Sequence, residues 1–179
     1  MKKESIPNLL TLIRIAMIPL FILLLSLPGR SDLHWLAALI FAVASFTDYL
    51  DGYLARKWQV VSNFGKFADP MADKLLVMSA FILLVGLDFI PAWIAALIVC
   101  RELAVTGLRL LLVEQGGTIL AAAMPGKIKT FSQMFAIIFY LLHFHLLADI
   151  TLYIALFFTL YSGYDYFKGA SFLFKDTFK

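Results

Sequence analysis

Four of the twelve acidic residues fall within one short stretch, as Asp48 and Asp51, then Asp69 and Asp73. Asp48 and Asp51 are three apart and Asp69 and Asp73 four apart, so each pair shares one face of a helix. On consecutive antiparallel helices the two pairs can converge. An unpaired carboxylate in the middle of a membrane helix costs about 2.5 to 3.5 kcal/mol, and mutual repulsion adds to that, so the cluster predicts a bound cation. The ligand set is all oxygen with no Cys or His nearby, which selects Mg²⁺ or Mn²⁺ over zinc or copper. Four carboxylates suffice for two ions, an arrangement that clamps phosphate oxygens. A phosphate or pyrophosphate substrate follows.

The residues between the carboxylates fit such a substrate. Gly52 and Ala55 are small enough for a bulky ligand to approach the helix backbone, and Arg56 offers a planar fork to phosphate oxygens. The ordinary reading of Gly52 and Ala55 is helix packing, and of Arg56 a headgroup anchor. Gly65 is expected to end a loop, with Pro70 in the first turn of the next helix. Asp69 and Asp73 would then lie near a helix N-terminus, where the dipole favours carboxylates.

The elements that carry these residues must be membrane helices. The chain has 179 residues, 62% hydrophobic and 15% charged, with mean hydropathy +0.89. A soluble domain is about half apolar and about a quarter charged. Apolar runs separated by Pro, Gly or charge give six spans at about 7–27, 33–58, 69–87, 91–113, 130–147 and 149–167. The expected fold is all-α: one polytopic membrane domain over 1–179, with six transmembrane helices and short loops. Lys2, Lys3, Arg56, Lys57, Lys66, Lys74, Lys127, Lys129 and Lys168 gather at one set of helix ends, which the positive-inside rule makes cytoplasmic together with both termini. The site then faces the cytoplasm. The formal net charge of +3 is scattered among apolar runs, so lipid headgroups rather than nucleic acid explain it.

Arg101 and Arg109 sit in an apolar helix, where a guanidinium needs an anionic partner. With Lys127 and Lys129 they form a candidate second phosphate pocket, and Glu102 is the ordinary partner for one of the cations. His143 and His145, two apart on an expected helix, point away from each other and read as interface residues. Trp35, Trp58 and Trp93 fall at membrane boundaries, where tryptophan is enriched. Cys100 reads as a small buried hydrophobe, and residues 172–174 with the flanking lysines as a tail lying in the headgroup region.

The run D-x2-D-G-x2-A-R-x8-G-x3-D-x3-D resembles the signature of the CDP-alcohol phosphotransferases, with Asp48, Asp51, Gly52, Ala55, Arg56, Gly65, Asp69 and Asp73 at every fixed position. Asn8, Thr11, Arg14, Arg101, Glu102, Arg109, the segment from Pro125 to Thr130 and Gln133 resemble the bacterial branch that makes phosphatidylglycerophosphate. The resemblance implies a homodimer in the bacterial inner membrane. It implies transfer of a phosphatidyl group from CDP-diacylglycerol to sn-glycerol 3-phosphate, with release of CMP. By the same resemblance Asp48, Asp51, Asp69 and Asp73 hold Mg²⁺ or Mn²⁺, and Asp73 doubles as general base. Cations beside Asp73 weaken it as a base but also acidify the acceptor hydroxyl, so the proton can still pass. Gly52, Ala55, Arg56 and Gly65 then bind CDP-diacylglycerol, and Arg101, Arg109, Lys127 and Lys129 the acceptor phosphate. Two alternatives stand beside this. One keeps the chemistry with another acceptor, such as inositol phosphate, serine or phosphatidylglycerol; the other is a divalent-cation transporter, which leaves Gly52, Ala55, Arg56 and Gly65 unexplained.

Overall fold

The computed structural model describes residues 5–58, 63–114 and 124–171, with the side chains of 5–8, 49, 51–58, 63–70, 113 and 114 outside the description. Among the described residues every regular element is helical: α1 (Ser5–Ser26), α2 (His34–Trp58), α3 (Asn63–Gly86), α4 (Ala92–Glu114), α5 (Met124–Leu141) and α6 (His145–Gly169), with a single 3-10 turn at Ser31–Leu33. The number and order of helices match the expected spans.

Three boundaries differ, and each changes a reading. Helix α3 starts at Asn63, so Gly65 is helical and Pro70 lies beyond the first turn. Asp69 and Asp73 sit well inside the helix, where a dipole that fades within one turn does not account for them. Helix α5 starts at Met124, six residues early, because Pro125 stands in its first turn, where a missing N–H is harmless. It also ends early, at Leu141, and His143 adopts a left-handed φ of 62°. His143 and His145 therefore do not share the one helix on which their sequence spacing predicts them. The turn stacks the His143 ring on His34 with centroids 5.3 Å apart and leaves it 5.8 Å from His145, so the chain's three histidines gather at one end of the bundle.

Helix α1 lies against both α2 and α3, and α5 packs on α6, α2 and α3. Between them runs an apolar core that includes Phe21, Phe41, Leu76, Phe81, Leu84, Ile94, Ile98, Ile137 and Leu152. A second cluster joins α4 to α6 through Val105, Leu108, Leu112 and Tyr166. The outer surface is apolar as well: Leu23, Ile82, Leu110, Leu146 and Phe157 are each more than half exposed. A water-soluble monomer rarely shows so much contiguous apolar surface. Cys100 is exposed on α4 rather than buried. Two helices, over Leu9–Ser26 and His145–Gly169, are long and apolar enough to cross a bilayer, while α2, α3, α4 and α5 each carry charged residues of the candidate site. Trp35 and Trp93 are exposed at the starts of α2 and α4. In the turn before α2 the exposed Arg30 donates to Asp32 at 3.0 Å, and this hydrogen bond holds the Asp32 carboxyl below the usual range.

Candidate active site

Asp48, just past the middle of α2, and Asp73, midway along α3, line the same cleft. It has a volume of about 620 Å³, and its other walls are Ala42, Ser45 and Phe46 of α2 and Thr130, Phe131, Met134, Phe135 and Ile138 of α5. Carboxylates from two helices thus meet in a cleft that is otherwise mostly apolar. Asp73 also borders a small polar pocket with Lys74, Glu102, Lys129, Thr130 and Gln133. Asp73 therefore faces an apolar cleft on one side and a charged pocket on the other.

Asp48 of α2 and Asp73 of α3 meet at one cleft. Among the described residues α2 and α3 touch little, and both pack against α1 and α5. Asp51, Gly52, Ala55 and Arg56 ride on α2, and Gly65 and Asp69 on α3. The side chains of these six lie outside the described residues. The described charged donors around the cleft, two carboxylates with no thiolate or imidazole, suit a hard divalent cation. Among the described residues no group of three or more metal-binding side chains is assembled.

Arg14 supplies part of the positive charge that the carboxylates require. Its side chain is fully buried, and its Nη1 donates to Asp48 Oδ1 at 2.6 Å. The rule that a guanidinium in an apolar helix needs an anion, applied above to Arg101 and Arg109, also points to Arg14.

The four candidate residues for a second phosphate occupy different settings. Lys129 Nζ donates to Glu102 Oε1, and Arg101 Nη1 reaches the same oxygen at 3.4 Å. Arg101 also donates from Nε to the Thr159 carbonyl at 3.2 Å and from Nη2 to Ser162 Oγ at 2.8 Å. Arg109 is not Glu102's partner: it donates to the Tyr166 hydroxyl and lies 4.8 Å above that ring, and its buried Nε has no partner among the described residues. Lys127 is exposed in the first turn of α5. Lys74, read from sequence only as a topology signal, donates to Thr106, and Gln133 bonds Thr159 at 3.3 Å. Polar side chains of α6 such as Thr159 and Ser162 escaped sequence reading because each is a lone small residue in an apolar run.

The comparisons with known proteins agree on one family. The model of the CDP-alcohol phosphatidyltransferases matches residues 4–161. A Bacillus subtilis protein named CDP-diacylglycerol–glycerol-3-phosphate 3-phosphatidyltransferase is 48% identical, covering 92% of this chain and 94% of its own length. A Rickettsia typhi protein of the same name is 41% identical over 93% of this chain and 97% of its own. A Mycobacterium tuberculosis protein named as a probable phosphatidylglycerophosphate synthase is 40% identical over 93% of this chain and 81% of its own.

Proposed function

The chain belongs to the CDP-alcohol phosphatidyltransferase family, and we propose from this that it transfers the phosphatidyl group of CDP-diacylglycerol to sn-glycerol 3-phosphate, releasing CMP and forming phosphatidylglycerophosphate. The observation that carries the reading is the cleft in which Asp48 and Asp73 stand among apolar side chains of α2 and α5. A substrate that is part pyrophosphate and part diacylglycerol needs that combination. Phe46, Phe131, Met134, Phe135 and Ile138 take its acyl chains, while the acidic motif takes its polar part.

The acceptor hydroxyl attacks the phosphorus that bears diacylglycerol, the bond to the CMP phosphate breaks, and the hydroxyl proton passes to Asp73. Asp48, Asp51, Asp69 and Asp73 would hold divalent cation, Mg²⁺ or Mn²⁺, with enough carboxylates for two ions. When bound, it stabilises charge on the bridging and departing phosphate oxygens. Gly52 and Ala55 leave room beside the helix, and Arg56 and Gly65 complete the CDP-diacylglycerol site. Arg101, Arg109, Lys127 and Lys129 serve the acceptor phosphate. The pocket where Lys129 adjoins Asp73 supports this, because acceptor phosphate and acceptor hydroxyl belong to one small molecule.

All six helices cross the bacterial inner membrane as one domain, the site and both termini face the cytoplasm, and two copies form a homodimer. A green fluorescent protein fused after Lys179 should fluoresce and a periplasmic phosphatase fused there should be inactive; the reverse pattern overturns the topology. The activity is tested by CMP release from CDP-diacylglycerol in detergent, with and without glycerol 3-phosphate and Mg²⁺ or Mn²⁺. Release should need both acceptor and metal, and Asp73→Asn should lower it by about 10²- to 10⁴-fold. Release with inositol phosphate alone would keep the mechanism and replace the acceptor.

A further inference from the structure

We propose that Arg14 is a positioning residue for the metal site, fixing from α1 the orientation of the Asp48 carboxylate on α2. The proposal rests on the reading of Asp48 as a metal ligand. Two of the contacts Arg14 makes lie one helical turn apart on α2. Its Nη1 donates to Asp48 Oδ1 at 2.6 Å, and its Nε donates to the Ala44 carbonyl at 3.3 Å, which also accepts from Thr47 Oγ1 at 2.7 Å. A rigid planar group held at the backbone of residue 44 and at the carboxylate of residue 48 restrains both the direction and the plane of that carboxylate.

The burial of the pair is asymmetric. The Arg14 side chain is 0% exposed, whereas that of Asp48 is 37% exposed and lines the cleft. Burying both partners of an ion pair costs the desolvation of both charges, which their attraction offsets only in good geometry. Here the guanidinium is fully buried against α2, while the carboxylate is left presented to the cleft. That is the arrangement expected of a support for a ligand. Thr11, one turn before Arg14, is buried as well, so the buried face of α1 is polar at this level.

Arg14→Lys separates geometry from charge, since an ammonium keeps the charge but cannot donate from two nitrogens at fixed spacing. The probe is Mn²⁺, with binding to the full-length protein in detergent followed by loss of the free-ion paramagnetic resonance signal. Arg14→Lys should unfold, without metal, within a few degrees of the native protein, yet bind Mn²⁺ about tenfold more weakly, a difference of about 1.4 kcal/mol. The Mn²⁺ needed for half-maximal CMP release should rise in step, with the glycerol 3-phosphate KM unchanged. In an Asp48→Asn background the Arg14→Lys change should have no further effect on Mn²⁺ binding. Unchanged Mn²⁺ binding in Arg14→Lys, or an equal loss in the Asp48→Asn background, overturns the proposal. Should Arg14→Lys fail to fold, Arg14→Gln takes its place with the same readouts. Native protein that releases no CMP but binds Mn²⁺ in an Arg14-dependent way would sink the enzyme reading and leave this one standing.

Discussion

Replacing Glu102 by methionine removes the anion that ties α4 to α5. The Glu102 side chain is 12% exposed, and the Lys129 and Arg101 side chains that it serves are 8% and 10% exposed. Removing one partner of a buried ion pair costs about 3 to 5 kcal/mol, because it leaves an uncompensated charge. Arg101 keeps the Thr159 carbonyl and Ser162, so the loss falls mainly on Lys129 and the lower end of the range applies. About 3 kcal/mol lowers the unfolding temperature of a chain of this size by roughly 6 to 12 °C. The assay is tryptophan fluorescence on heating in detergent, since the exposed Cys100 would react with a thiol dye before unfolding. The double variant Glu102→Met with Lys129→Met should recover most of the loss, because the lysine is then no longer a stranded charge. A drop under about 2 °C in Glu102→Met, or no recovery in the double variant, would refute the reasoning. Glu102→Gln adds a kinetic test of the acceptor pocket. If Lys129 and Arg101 receive the acceptor phosphate, losing the competing carboxylate lowers the glycerol 3-phosphate KM, and an unchanged KM confines both cations to holding the helices together.

Ala42→Trp fills the cleft beside Asp48 and should raise the KM for CDP-diacylglycerol about tenfold or more with the acceptor KM unchanged; equal effects on both constants would remove the acyl chains from this cleft. Gly163 packs against Arg101, and even a Cβ there would stand 3.2 Å from Arg101 Cγ. Gly163→Val should therefore destabilise by about 1 to 3 kcal/mol, seen as a lower unfolding temperature. Tyr140 donates to Asp149 at the histidine end of α5, beside His145; Tyr140→Phe should cost about 1 kcal/mol and leave CMP release as it was.

Composition and the spacing of polar breaks determined the helix count, because every apolar run long enough to span a bilayer must satisfy its backbone internally. Carboxylates at intervals of three and four share a helix face, which marked the acidic motif as a unit; the structure brings Asp48 and Asp73 to one cleft, and the side chains of Asp51 and Asp69 lie outside the described residues. The helix ends were not legible. Nothing in Asn63 to Pro70 announces a helix that begins six residues early and carries Gly65 and Pro70 inside it, and nothing local required α5 to stop at Leu141. That stop, with His143 in a left-handed turn, is what brought His34, His143 and His145 together against the helical periodicity. Pairing was decided by the tertiary structure alone. From sequence, Arg14, Arg101, Arg109, Lys127 and Lys129 are equivalent cations in want of anions. Packing assigned Arg14 to Asp48, Arg101 and Lys129 to Glu102, and Arg109 to Tyr166, since which charges meet depends on the rotation of each helix about its axis, and that is set by the interlocking of apolar faces that all look alike in the sequence.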